Sequence, residues 1–93
     1  MDQDFLMTQR ARLEDRERHY VETLKTTPPE SFDRHIAHKA KVGLPATRRS
    51  LERIQKGTYG ICMGCGERIK HARLVLIPAA ERCIGCQQEV EDE

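Results

Sequence analysis

The stretch that decides the fold is "GTYGICMGCGERI", residues 57–69, together with "RCIGCQQ", residues 82–88. Each contains a C-x-x-C pair, and 17 residues separate the two pairs. Four thiolates at this spacing meet the tetrahedral preference of zinc. A site filled by four protein ligands has no open position for a substrate. The pattern therefore predicts one structural Zn²⁺, held by Cys62, Cys65, Cys83 and Cys86.

Other roles for the thiols are weaker interpretations. A redox C-x-x-C usually accompanies a βαβ pattern, which this chain lacks, and stable disulfides need an oxidising compartment. Glycines in the two turns should supply the required backbone angles; they are Gly64, Gly66 and Gly85. We expect His71 to lie on the surface, and His35 and His38 on a solvated helix face.

The bulk composition agrees with a small stapled domain. The chain has 93 residues, 38% hydrophobic and 33% charged, with two Tyr, two Phe and no Trp. Such short chains often need a metal or a disulfide for stability. The net charge is +1, with basic residues in the middle and acidic ends. Without an apolar span or a secretory h-region, we expect a cytoplasmic protein.

Two helical stripes precede the cysteines. Residues 2–25 contain no Gly or Pro, and apolar residues recur there at coiled-coil spacing, at Leu6, Leu13, Tyr20 and Leu24. Pro28 and Pro29 then break the helix. A second stripe follows at Phe32, Ile36, Ala40, Gly43, Thr47, Leu51 and Ile54. The two stripes predict an antiparallel helical hairpin.

The second stripe has one internal flaw and a clear end. Pro45 removes a backbone hydrogen bond, and because the stripe keeps its phase, we expect a kink; a true break is the alternative. Gly57 is the natural left-handed stop. Beyond it, "ARLVLIPAA" predicts a short strand or a packed loop, and "IGCQQEVEDE" a short terminal helix.

The predicted fold is therefore mostly α. It consists of an antiparallel helical hairpin (coiled coil), a small four-cysteine zinc-finger module and a short C-terminal helix. The expected division is a coiled-coil arm at 1–57, with its tip near 26–35, and a zinc-finger module with an acidic tail at 58–93.

Residues 53–89, "RIQKGTYGICMGCGERIKHARLVLIPAAERCIGCQQE", closely resemble the zinc-finger signature of the DksA/TraR family of bacterial transcription regulators. The matching elements include the G-T-Y-G turn, C-x-x-C-G, Ala-Arg-Leu, Ile-Pro and the closing C-I-x-C-Q. Family members combine a zinc-bearing base with a projecting coiled coil. The resemblance implies that the coiled coil enters the secondary channel of bacterial RNA polymerase and modulates initiation without reading DNA sequence.

The resemblance also implies a set of tip residues. The family tip pattern is Asp-x-x-Asp-x-Ala, and "ESFDRH" places Glu30 and Asp33 at the two acids and His35 at the alanine. Such carboxylates would face basic residues or the Mg²⁺ environment of the polymerase. An alternative is that both acids simply stabilise the start of the second helix, by about 0.3–1 kcal/mol.

Two departures from the family pattern modify these expectations. The 29 residues from Asp33 to Cys62 span about 43 Å as a helix, shorter than in full-length members. The basic residues that help to hold ppGpp in responsive members are replaced here by Ile77 and Gln87. We therefore expect weak or absent ppGpp dependence.

A different class of function is a zinc-stabilised module that binds nucleic acid. Its binding would weaken steeply with salt, and the near-neutral charge and few aromatic residues count against it. A redox or zinc-storage protein is a third hypothesis. Because no catalytic triad or phosphate loop is visible, we do not expect an enzyme. The cations of the nucleic-acid hypothesis are Arg48, Arg49, Arg53, Lys56, Lys70 and Arg73.

Overall fold

The computed structural model describes residues 2–26 and 34–91, with the side chains of 34–37 outside the description. Four helices occupy these ranges in the order α1 (Gln3–Thr26), α2 (Arg34–Lys56), α3 (His71–Leu76) and α4 (Ile84–Glu91). The predicted mostly helical fold with a short C-terminal helix is confirmed. Within the described ranges, β pairing consists of one isolated antiparallel bridge, between Ile61 and Arg68.

Helices α1 and α2 pack against each other as an antiparallel hairpin. Arg48 of α2 pairs with Glu17 of α1 at 3.0 Å, and Gly43 faces the ring of Tyr20. An ideal Cβ on Gly43 would lie 2.6 Å from Tyr20 Cζ, so glycine is required for this close approach. The residues of α2 buried in the described hairpin are also small, namely Ala40, Thr47 and Ser50.

Helix α2 runs without interruption through Pro45. The alternative of a break into two helices is therefore wrong. Pro45 and Lys41, whose carbonyl loses its partner, are both exposed, so water can hydrate the freed carbonyl.

The end of α2 is a Schellman motif. Gly57 has φ +78°, as the prediction of a left-handed stop requires. Its N–H donates to the Ile54 carbonyl at 3.3 Å, and the Thr58 N–H donates to the Arg53 carbonyl at 2.8 Å. These two hydrogen bonds satisfy carbonyls that the end of a helix leaves free.

The expectation of a strand or packed loop in "ARLVLIPAA" is wrong for its first part, whereas residues 77–80 form a packed loop in which Pro78 and Ala80 are buried. That first part belongs to the six-residue helix α3, which ends at Leu76. Leu74 is fully buried, whereas Val75 and Leu76 are 49% and 78% exposed. A run of apolar letters cannot distinguish a strand from a short helix, because periodicity needs a longer segment.

The hydrophobic core joins the start of the hairpin to the cysteine module. Leu13 of α1 is completely buried and clusters with Tyr59, Ile69 and Leu74, while Phe5 and Leu6 pack against this cluster. The first half of α1 is thus part of the base as well as of the hairpin. Among the described residues, no helix is long and apolar enough to span a membrane.

Candidate metal centre and its attachment to the helical arm

The structure brings the four cysteine sulfurs together. The Sγ atoms of Cys62, Cys65, Cys83 and Cys86 all lie within 4.8 Å of one another. Cys62 is 2% exposed, and the other three are more accessible. Four thiols at such distances fit a single tetrahedral zinc ion, and they leave no coordination position for a substrate. The set therefore suits a structural metal.

At two of the three glycine positions in the C-x-x-C turns, the geometry explains why the residue is glycine. Gly66 has φ +77°, a conformation that side chains disfavour. A Cβ on Gly64 would lie 2.9 Å from Cys86 Sγ, so a side chain there would push the two cysteine turns apart. Gly85 is different, since it lies in α4 without a positive φ and a Cβ would meet open space. The expected role in supplying a special backbone angle is thus wrong for Gly85, and at Gly64 the reason for glycine is space and not a positive φ.

Backbone amides surround the Cys62 sulfur. The N–H groups of Cys83 and Gly64 donate to it at 3.2 and 3.3 Å. Chiefly through the Cys83 N–H, these donors lower the pKa of the Cys62 thiol to about 6. The Cys62 thiol in turn, followed by that of Cys83, raises the pKa of Cys86. The thiolate form is therefore favoured at Cys62, and its negative charge disfavours ionisation of the Cys86 thiol. A divalent cation removes this repulsion.

Glu81 connects both cysteine turns to α2. Its backbone carbonyl accepts the N–H of Met63, between the first two cysteines, at 2.8 Å. Its carboxylate accepts two hydrogen bonds from Arg49, at 2.9 and 2.8 Å, and one from Arg53 at 3.0 Å. Hydrogen bonding to Arg49, with a further contribution from Arg53, lowers the pKa of Glu81. We call these three side chains the Glu81 bridge.

A second connection joins α1 to the segment around α3. Gln9 is 1% exposed, and its Nε2 donates to Tyr59 Oη at 2.9 Å and to the Leu74 carbonyl at 2.8 Å. Tyr59 Oη donates to the Pro78 carbonyl at 2.7 Å, and burial raises its pKa. Arg12 donates to Gln9 Oε1 at 2.8 Å. We call this set the Gln9 network.

Comparison with known proteins agrees with the site and with the arm. Residues 57–92 match the model of the prokaryotic dksA/traR C4-type zinc finger. The whole chain is also similar to the solved structure of Dks from Chlamydia trachomatis, described as an RNA polymerase binding protein and transcriptional regulator. The TM-score is 0.77 at 28% identity, over 99% of this chain and 93% of that one. The zinc finger of this chain thus matches the DksA/TraR family, and the chain as a whole shares the fold of Dks.

Other known proteins show more distant or more local likeness to this chain. The transcription factor DksA2 from Pseudomonas aeruginosa aligns with a TM-score of 0.53 and 26% identity, over 96% of this chain and 79% of that one. An uncharacterised protein of Aquifex aeolicus is 54% identical over 44 residues, and general stress protein 16O of Bacillus subtilis is 36% identical over 50. Those matches cover 47% and 54% of this chain but 30% and 31% of the relatives' lengths.

The predicted tip of the hairpin falls outside the described part of the chain. Glu30 and Asp33 lie in the undescribed segment, as does Phe32, and the side chain of His35 is not described either. His38 and His71, the other two histidines considered in the sequence, are both exposed. His71 stacks on Phe5 with ring centroids 4.3 Å apart, so it contacts α1.

The cations of the nucleic-acid hypothesis are largely engaged inside the molecule. Arg48 pairs with Glu17, and Lys56 with Glu52 at 2.6 Å. Arg49 and Arg53 belong to the Glu81 bridge. Arg73 Nε donates to the Arg82 carbonyl at 2.9 Å. Five of the six side chains therefore have intramolecular partners, and within the described ranges no partner is assigned to the side chain of Lys70.

Sequence reasoning missed Glu81 and Gln9. A buried glutamine interrupts the apolar pattern by which core positions are recognised. The glutamate pairs with arginines 28 and 32 residues away, beyond the reach of any helical spacing rule. The one available signal was the match of Tyr59 to the G-T-Y-G turn, which marked its position without revealing its partners.

Proposed function

We propose that this protein is a transcription regulator that binds bacterial RNA polymerase through the secondary channel and modulates initiation. The observation that carries the proposal is the similarity to the RNA polymerase binding protein Dks over 99% of this chain, at a TM-score of 0.77. The likeness extends beyond the zinc finger to the helical hairpin. In this proposal the protein is a binding protein, and the zinc is structural.

The mechanical logic follows from how the hairpin joins the base. Residues 1–57 act as the arm and residues 58–93 as the base. The Gln9 network holds α1 and the Glu81 bridge holds α2, so both helices of the arm leave the base in fixed directions. An arm that is rigid at its base can place its tip with little further loss of conformational entropy on binding.

The proposed contacts at the tip are Glu30, Asp33 and His35. Carboxylates at the end of the arm would interact with cations of the polymerase, whether basic side chains or the catalytic metal. Histidine in place of the family alanine adds a bulkier polar group next to them. We propose that binding is carried by arm and base together, whereas the effect on transcription depends on the two carboxylates.

Competition for the polymerase tests the binding step. The purified zinc-loaded protein is mixed with bacterial core RNA polymerase, and its displacement by a factor known to occupy the secondary channel is measured. We expect binding that such a factor abolishes. Failure to bind core enzyme, or binding that the competitor leaves unchanged, would refute the proposal.

A matched pair of double variants tests the tip. Glu30→Ala/Asp33→Ala should retain polymerase binding but lose the effect on initiation in a purified transcription assay. Glu67→Ala/Glu89→Ala removes two exposed carboxylates outside the arm and should behave like the parent protein. A tip variant with full activity would refute the assignment of Glu30 and Asp33. The same assay with and without ppGpp tests the expected weak dependence on that nucleotide.

A further inference from the structure

A concave site lies in the half of the arm nearest the predicted tip, among residues that the structure describes. A cavity of about 430 Å³ lies between α1 and α2, lined by Asp15, Arg16, His19, Tyr20 and Lys39. This volume is within the range of small-ligand pockets. None of these residues belongs to the zinc centre, the Glu81 bridge or the predicted tip, so the proposed function assigns them no individual role.

The charges around this cavity are not balanced. Asp15, its one acidic residue, is paired with Arg18. Arg16 and Lys39 are exposed, and neither makes an ion pair with any described residue. Several other arginines of the hairpin are paired with carboxylates, as in Arg10–Glu14 and Arg48–Glu17. The cavity thus presents two uncompensated cations from opposite helices.

The geometry points to a ligand with a chain of phosphate groups. We propose that the cleft of Arg16, His19, Tyr20 and Lys39 binds a small polyphosphate, either inorganic pyrophosphate or the phosphate chain of a nucleoside triphosphate. A guanidinium binds phosphate oxygens in a bidentate manner, and an ammonium group adds a compact second charge. Several negative charges within a small volume suit two cations that face one cavity.

The two rings of the cleft distinguish the two sources of phosphate. His19 and Tyr20 form a tilted pair, with centroids 6.0 Å apart and planes at 54°. Aromatic rings serve as stacking platforms for bases in nucleic-acid complexes. If the ligand is a nucleoside triphosphate, the base can use His19 as a platform; inorganic pyrophosphate gains nothing from it.

Calorimetric titration of the full zinc-loaded chain tests the proposal. Pyrophosphate should bind at one site, and Arg16→Gln/Lys39→Gln should weaken it by at least about tenfold, the loss expected for two charge-assisted contacts. Lys41→Gln is the matched control, because Lys41 is exposed on the same helix but does not line the cavity. It should change the affinity less than about twofold, as a charge largely screened by salt.

Three further measurements make the outcome decisive. Zinc content after titration shows that pyrophosphate has not extracted the metal, and circular dichroism shows that the variants are folded. Tighter binding of ATP than of pyrophosphate, abolished by His19→Ala, would identify a nucleotide ligand; equal binding of the two would identify the inorganic one. Equal weakening by Lys41→Gln, or citrate binding as tightly as pyrophosphate, would overturn the proposal in favour of diffuse anion attraction.

Discussion

The base and the arm of this protein obtain their order in different ways. In the base, sulfur positions depend on special backbone conformations, such as φ +77° at Gly66, and on N–H donors to Cys62. In the arm, two helices pack along a seam of small residues centred on Gly43. The base is thus built around a site that fits a metal, whereas the arm is built on close contact between helices. The two regions should respond differently to the same kind of perturbation.

Removing the metal should have the largest effect on the stability of the fold. Cys83→Ser, or exhaustive chelation, should unfold the base, because structural zinc sites provide roughly 10–16 kcal/mol of apparent binding free energy at neutral pH. The amide resonances of residues 57–91 should collapse to unfolded positions in a ¹⁵N NMR spectrum. Gln88→Ser, an exposed neighbour in α4, should leave the spectrum folded. A chelated sample with a native spectrum would show that the metal is dispensable.

A larger side chain in the contact between α1 and α2 should have the next largest effect on stability. Gly43→Val would force a side chain into the space of the Tyr20 ring, and overpacking of this kind costs about 1–3 kcal/mol. The midpoint of urea unfolding should fall accordingly, with the zinc content unchanged. Gly85→Ala is the contrasting control, since a Cβ there meets open space in a helix. It should raise the free energy of unfolding by up to about 1 kcal/mol.

The Gly43→Val variant also tests whether Gly43 and Tyr20 are in close contact between the two helices of the arm. Tyr20→Ala removes the ring, so the double variant Gly43→Val/Tyr20→Ala should be less destabilised than the sum of the two single variants. Strict additivity would mean that Gly43 and Tyr20 do not constrain each other, which would contradict the packing described here.

The Gln9 network joins the two regions and should have an intermediate effect. Gln9→Leu leaves the Leu74 carbonyl and the Arg12 guanidinium without their buried partner, so we expect a loss of about 2 kcal/mol in the free energy of unfolding. Hydrogen exchange should increase in both α1 and α3. Gln55→Leu, at an exposed position of α2, serves as the control and should change little. An unchanged exchange rate in α3 would show that α1 is not anchored through Gln9.

Sequence reasoning succeeded where one local pattern determines the outcome. The cysteine spacing, the stop at Gly57 and the two helical stripes are each set by residues close together in the chain. It failed where the outcome depends on distant partners or on solvent. Whether Pro45 breaks α2 depends on the exposure of Lys41, and the burial of Gln9 depends on Tyr59, 50 residues away. Segment length was the difficulty at α3, since six residues contain less than two helical turns.

The Glu81 bridge should have the smallest effect on stability and the clearest effect on geometry. Glu81→Gln keeps the shape of the side chain but removes its charge, and because Arg49 is half exposed we expect a loss of only about 1 kcal/mol. The Met63 N–H still reaches the backbone carbonyl of residue 81, so the cysteine turns should retain zinc. What changes is the restraint between α2 and the base.

Two distance distributions between spin labels test this restraint. Labels at Thr8→Cys in α1 and Gln88→Cys in α4 would detect loosening of the whole arm on the base. Labels at Lys41→Cys and Gln88→Cys would detect movement of α2. We expect Glu81→Gln to broaden the second distribution and leave the first nearly unchanged, because α1 has its own anchor in the Gln9 network. Glu52→Gln removes an exposed pair within α2 and should broaden neither. Equal broadening of both distributions would mean that the arm moves on the base as a single unit, and that Glu81 does not hold α2 independently of α1.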